Sequence, residues 1–240
     1  MSRSRSAAFG VALAAASAMA ARPASAQIIY QSNFGSGLSG FTTTGGGGIR
    51  TDNGVTYLGN LTQGATTSQT FNTAGYTNVR LSFTLYAVLS VDGNGQLGGG
   101  ADPFLVGDNG GTIFNYTFAN FTGSNTQSYG GGGAGSAPGS FAPRTGASAG
   151  GQLGFGLGDF GDATYLFSNL LLTPDGGGQL TLTFTGNSNQ SAGDEFYGIN
   201  NVVITGDLVP SAVPEPGTWA LLGTGLAGLG VVARRRATAR

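Results

Sequence analysis

Two short stretches of this chain concentrate the side chains that could do chemistry. In Ser90-Val91-Asp92-Gly93-Asn94-Gly95, and then in Ala101-Asp102-Pro103-Phe104, carboxylates and amide oxygens stand beside glycine turns. In Gly193-Asp194-Glu195-Phe196-Tyr197-Gly198 two adjacent acids precede an apolar run. Asp92, Asn94, Asp102, Asp194 and Glu195 offer only oxygen, the donor type that a hard cation such as Ca²⁺ collects, roughly six to eight atoms at a time. Neither stretch has the spacing of an EF-hand loop. The alternative is that Asp92 and Asn94 simply build a turn and Asp194 is solvated. A structural Ca²⁺ is the one cofactor these residues suggest.

Catalysis finds less support. The 240 residues include 46 glycines and no cysteine, histidine or lysine. Thiol nucleophiles, imidazole bases, Schiff-base lysines, disulfides and P-loop lysines are thereby excluded. A glycosidase needs two carboxylates across the sugar. Between residues 27 and 213 the chain holds one glutamate, Glu195, and nine aspartates, and no spacing singles out a pair. Gly154-Phe155-Gly156-Leu157-Gly158 opens no helix, so it is not a dinucleotide fingerprint. The expectation is a protein that is not an enzyme. The eight tyrosines could stack on sugars, or could pack across strands as sheet tyrosines do. Seven of the ten arginines lie in the terminal segments. The body keeps three against ten acids, a net charge of −7 that leaves no patch for nucleic acid.

The elements that must position these residues read as strands. Over 78–90, Val79, Leu81, Phe83, Leu85, Ala87 and Leu89 alternate with Arg80, Ser82, Thr84 and Tyr86, the period of a strand with one buried face. Leu180, Leu182 and Phe184 alternate with threonines in the same way. Strands are also predicted over 28–33, 55–61, 68–71, 104–106, 112–121, 152–157, 165–171 and 199–205. Ten short strands without an amphipathic helix between them predict an all-β, antiparallel sandwich. Its breaks are glycine-rich, and the longest, 123–150, reads as a mobile surface loop with little to bury.

Both ends read as addresses. Arg3 and Arg5 precede an alanine-rich apolar run over 7–21, and Ala24 and Ala26 place small side chains where a signal peptidase inspects them. A signal helix over 1–26, cleaved before Gln27, is the expectation. At the other end Val213-Pro214-Glu215-Pro216-Gly217-Thr218 leads into an apolar stretch from Trp219 to Ala233, closed by Arg234-Arg235-Arg236. Proline keeps the first part extended, Trp219 suits a membrane interface, and the arginines suit its cytoplasmic side. The apolar stretch is about 24 Å long as a helix, short of a bilayer core of about 30 Å. A provisional anchor is expected rather than a permanent one.

This order of parts resembles the PEP-CTERM sorting signal of exported bacterial proteins. The resemblance implies that a membrane-embedded exosortase recognises Pro214, Glu215 and Pro216 and removes the tail, Trp219 and Arg234 to Arg236 included. It implies as partners the exosortase and secretion machinery, with transient contact to the inner membrane, and a Gram-negative source that makes extracellular polysaccharide. The motifs Leu81-Ser82-Phe83, Asp92-Gly93-Asn94-Gly95, Asp102-Pro103-Phe104 and Thr117-Phe118-Ala119-Asn120 are similar to the sandwich bodies of such proteins. Gly198-Ile199-Asn200-Asn201-Val202-Val203-Ile204 is similar to the closing strand of jelly-roll and lectin-like modules, where aspartate is usual at the position of Asn200. That likeness implies a fold and sometimes a calcium ion, with no fixed activity. The expected layout is a signal peptide (1–26), a sandwich (27–208) and a sorting segment (209–240). The expected role is non-catalytic, structural or adhesive, at the cell surface or in the extracellular matrix and associated with exopolysaccharide. A calcium-dependent carbohydrate-binding module and a glycan-active enzyme are the alternatives.

Overall fold

In the computed structural model, residues 25–95, 100–123, 125–133, 135–209 and 216–238 are described. Among the described residues, twelve strands precede one helix. They are β1 (Ala26–Ser32), β2 (Thr42–Thr44), β3 (Gly48–Asp52), β4 (Val55–Leu61), β5 (Ala65–Asn72) and β6 (Tyr76–Leu89), then β7 (Pro103–Asp108), β8 (Gly111–Thr117), β9 (Ala149–Gly150), β10 (Asp162–Leu171), β11 (Gln179–Gly186) and β12 (Glu195–Leu208). The helix α1 spans Pro216–Ala237. The expected signal helix, with Ala24, lies outside the described residues. Ala26 opens β1.

All pairings are antiparallel, and the strands form two sheets. One runs β3-β4-β12-β6-β10-β9, with β1 beside the second half of β12; the other runs β2-β5-β11-β7-β8. The chain crosses between sheets at β1 to β2, β2 to β3, β4 to β5, β5 to β6, β6 to β7, β8 to β9, β10 to β11 and β11 to β12. Their inward faces supply the core that the alternation predicts: Leu81, Phe83 and Leu85 from one sheet, Leu180, Leu182 and Phe184 from the other. Aromatic rings knit the layers. Phe83 stacks on Phe167 at 5.1 Å, and Phe114 meets Phe167 edge-on at 4.8 Å. The outer face of the five-stranded sheet carries threonine pairs instead, Thr70 with Thr181 and Thr66 with Thr185.

Four expectations need correction. The strand expected over 152–157 is a loop. Gly151, Gly154 and Gly156 hold left-handed φ values of 73°, 85° and 80°, and three such residues within six break the extended backbone of a strand. That loop folds over the outer face of the larger sheet, where Leu153 joins Tyr57, Tyr86, Val88 and Phe196 in a second cluster. Hence β6 is buried on both faces in its second half, and Leu89 packs with the outer cluster rather than the core. The 123–150 stretch is not a surface loop with little to bury: Asn125, Gln127 and Tyr129 are all buried. Finally β2, β3 and β9, each too short or too glycine-rich for periodicity, add to the expected set, and the strand expected over 112–121 ends at Thr117.

Candidate functional site

Topology decides which acids meet. Glu195, the first residue of β12, pairs with Leu89, the last of β6. Asp92 therefore lies just beyond the β6 end of that pair, and Asp102 immediately precedes β7 in the facing sheet. All three reach one rim of the sandwich, with carboxylate oxygens within 4.8 Å of one another. Asp102 and Glu195 are fully buried, and Asp92 is partly so.

The turn between β6 and β7 is wound tightly enough to demand glycine. At Gly93, with φ of 71°, an added Cβ would lie 2.2 Å from the Thr126 carbonyl oxygen. The backbone N–H of Asp92 donates to Asp102 Oδ2 at 2.6 Å, and Asn189 donates to Oδ1 through its backbone at 3.1 Å and its side chain at 3.2 Å. Asn125 donates to Asp92 Oδ1 at 3.0 Å, and the Gln190 N–H donates to Glu195 Oε1 at 2.9 Å. Asn125 Oδ1 is buried without a hydrogen-bond partner, whereas the Glu195 carboxyl shares a hydrogen bond with that of Asp102. Burial, then the neighbouring Asp102 charge, pushes the Glu195 carboxyl up to about 8. Burial raises Asp102 as well, against the backbone donors that favour its charged form. Asp92 rises by burial and, to a lesser degree, by the charge of Asp194.

Two of the five expected ligands are engaged elsewhere. Asn94 donates to Thr126 Oγ1 at 2.9 Å and accepts from Thr117 Oγ1 at 2.6 Å. Asp194 accepts from Ser90 Oγ at 3.2 Å through its side chain, although its charge reaches Asp92. Asn125 and Asn189, which orient the acids, had no signal in the sequence beyond being amides in polar loops. Six of the eight tyrosines are buried among cross-strand neighbours, which removes them from sugar stacking; Tyr30 and Tyr76 are partly buried.

The sorting segment stands apart from this rim. Pro214 and Glu215 lie outside the described residues, as does the Trp219 side chain; Pro216 opens α1, and Arg234 to Arg236 occupy its last turn. The side chains of residues 221–238 are exposed, among them Leu221 at 75% and Leu229 at 68%. Among the described residues no helix is long and apolar enough to cross a membrane. The expected transmembrane helix is thus not met: Gly223, Gly225, Gly228 and Gly230 with Thr224 dilute the apolar run, and the arginines close it.

Residues 212–236 match the PEP-CTERM protein-sorting motif, which indicates an exported protein with a C-terminal sorting tail and implies exosortase processing. No curated protein matches the chain. Among solved structures it is similar to the Agl-KA catalytic domain (14% identity, TM-score 0.38, covering 81% of this chain and 30% of that one). It is also similar to the CBM22-1 xylan-binding domain of Paenibacillus barcinonensis Xyn10C (14%, TM-score 0.36, 80% and 100%). A third likeness is to the CBM22-1-GH10 modules of Clostridium thermocellum Xyn10B complexed with xylohexaose (9%, TM-score 0.33, 78% and 29%). The chain spans less than a third of the first and third of these structures. All three TM-scores lie below 0.5, so no ligand or activity passes from them to this chain.

Proposed function

We propose that this is an exported, non-catalytic protein of the cell surface or extracellular matrix. Exosortase removes its tail at Pro214-Glu215-Pro216, and its sandwich has a structural or adhesive role on extracellular polysaccharide. The division into 1–26, 27–208 and 209–240 belongs to the same reading. The observation that carries it is the sorting motif at 212–236, on a segment whose apolar side chains take no part in the core. The sandwich is read as a jelly roll because β4-β12-β6-β10 faces β5-β11-β7-β8, the strand order of two interleaved Greek keys. The non-catalytic reading is supported by burial. Asp102 and Glu195, two of the three acids that meet at the rim, have no exposed surface with which to touch a sugar.

Association with polysaccharide draws on a shallow groove of about 410 Å³ between β1, β12 and the loop after β1. Gln31, Ser32, Asn33, Ser36, Ser39 and Asn201 line it with uncharged hydroxyl and amide groups, which both donate to and accept from sugar hydroxyls. Mass spectrometry of the exported protein tests the sorting half: loss of Trp219 to Arg240 is expected, and an intact tail would contradict it. Retention on extracted polysaccharide tests the other half, with Gln31→Ala and Ser36→Ala expected to weaken it. No retention of the wild-type protein would overturn that half alone.

A further inference from the structure

We infer that the uncovered half of the larger sheet's outer face carries a linear, uncharged polysaccharide chain. The chain lies across the strands, from the groove beside β1 to a second groove beyond β10. The inference rests on the polysaccharide reading and deepens it, since it extends the same site and names the class of polymer.

Strand register supplies the path. Gln31 of β1 pairs with Val203 of β12, and Val203 pairs with Ser82 of β6. Ser82 Oγ accepts from the Asn169 N–H of β10 at 3.3 Å. These residues form one rung over four adjacent strands, roughly 14 Å long at about 4.8 Å per strand spacing. Gln31 and Val203 line the groove of about 410 Å³ at one end. At the other end Ser168, Asn169 and Leu171 line a groove of about 390 Å³, faced by Gly132, Gly133 and Ile113 of β8. Both strands that flank β6 bulge beside this rung, β12 between Asn200 and Val203 and β10 between Phe167 and Leu170. A bulge takes side chains out of the regular alternation. Each bulge holds an asparagine in the left-handed region, Asn201 with φ of 48° and Asn169 with φ of 60°. Asn201 Nδ2 donates to Thr84 Oγ1 at 3.3 Å, so amide and hydroxyl groups stand on β12, β6 and β10 alike. Two grooves joined by one polar rung suit an extended chain; a single sugar would not span them.

The lining selects the polymer. Amides and hydroxyls both donate and accept, as sugar hydroxyls do, and Val203 and Leu171 add aliphatic surface for sugar C–H groups. Among the described residues, the rung and the lining of both grooves hold no charged side chain. Arg80, two residues from Ser82 on β6, donates to the Asn169 carbonyl at 3.3 Å. The surrounding body has a net charge of −7, which repels an acidic polymer. The other half of this face is already covered, since Leu153 packs there with Tyr86 and Phe196. By contrast Gln31 and Asn169 are exposed, and Val203 and Ser82 partly so.

The test uses the purified protein and extracted polysaccharide, separated by anion exchange into uncharged and acidic fractions. Part of the uncharged fraction is hydrolysed to disaccharides. Affinity electrophoresis is expected to show retardation by the uncharged fraction, with a Kd for long chains roughly tenfold or more below that for the disaccharides. Ser82→Val and Asn169→Gly, the latter compatible with the left-handed backbone, are expected to weaken long-chain binding roughly three- to tenfold. Thr183→Val, on the outer face of the opposite sheet, is expected to leave it unchanged. If Ser82→Val fails to fold, Asn169→Gly carries the same readout. Binding that responds to Gln31→Ala but to neither Ser82→Val nor Asn169→Gly would overturn the path across the sheet and leave the groove beside β1 in place. Preference for the acidic fraction would overturn the polymer class. No binding of either fraction would overturn this inference and the polysaccharide reading together.

Discussion

A carboxylate loses its water on burial, and Glu195 loses it beside a second acid. Both effects favour the neutral form, with burial the larger, and together they push the group from an ordinary 4.5 up to about 8. The consequence for stability has a definite sign. Between those two values the folded metal-free protein holds a proton that the unfolded chain has released, so stability falls as pH rises and levels off above about 8. Asp102 and Asp92, both raised, add to the same slope. Thermal melts of chelator-treated protein from pH 5 to 8 should therefore show Tm falling, and Glu195→Gln should flatten the fall. A flat wild-type profile would mean that the rim is hydrated.

At the scale of elements, two kinds of segment differ in how they announce themselves. In β6 and β11 apolar residues alternate and the structure buries them accordingly, so hydropathy alone located the central strands. The 152–157 stretch alternates as well, with Leu153 and Phe155 between glycines, but those glycines curl it into a cap over β6. Asp162 anchors that cap by accepting from the backbone of Leu153 and Phe155 at 3.0 and 3.2 Å. The 123–150 stretch is held by a polar device that no hydropathy pattern reveals. Gln127 Oε1 accepts from the Ala119 and Arg144 N–H groups and the Tyr165 hydroxyl, while its Nε2 donates to the carbonyls of Tyr129 and Thr145. The acids of the rim were legible by type, yet their meeting depends on the Glu195–Leu89 register, and the diversion of Asn94 and Asp194 on their hydroxyl partners. Replacing Gln127 with leucine keeps the volume and strands five partners. Chemical denaturation should register a loss of about 3 kcal/mol or more, against less than about 0.5 kcal/mol for the exposed Gln152→Leu. Equal effects would mean that 123–150 contributes no fixed structure. In the core, Phe83→Ala removes a ring in contact with Phe104, Phe114, Phe167 and Phe184, and should cost about 3–5 kcal/mol.

For the whole molecule, sandwich and tail follow opposite rules. The sandwich buries most of its aromatic side chains, chiefly between the sheets, and stabilises itself without any disulfide, the chain having no cysteine. The tail leaves Leu221, Leu222, Leu226, Leu229, Val231 and Val232 at half or more of their full exposure. Gly223, Gly225, Gly228 and Gly230, in the middle of α1, each weaken it by about 1 kcal/mol relative to alanine, so packing rather than propensity would have to hold this helix in water. An element that contributes no buried apolar surface contributes little to folding. A chain ending at Val209 should therefore melt within about 2 °C of the full-length protein. Val209 is retained because its N–H still closes the sheet end by donating to the Gly75 carbonyl at 2.8 Å. A fall in Tm of 10 °C or so on truncation would place the tail inside the cooperative folding unit and would contradict its role as a removable segment. Unchanged melting together with a failure to leave the cell would separate the two duties cleanly: stability in the strands, destination in the last three dozen residues or fewer.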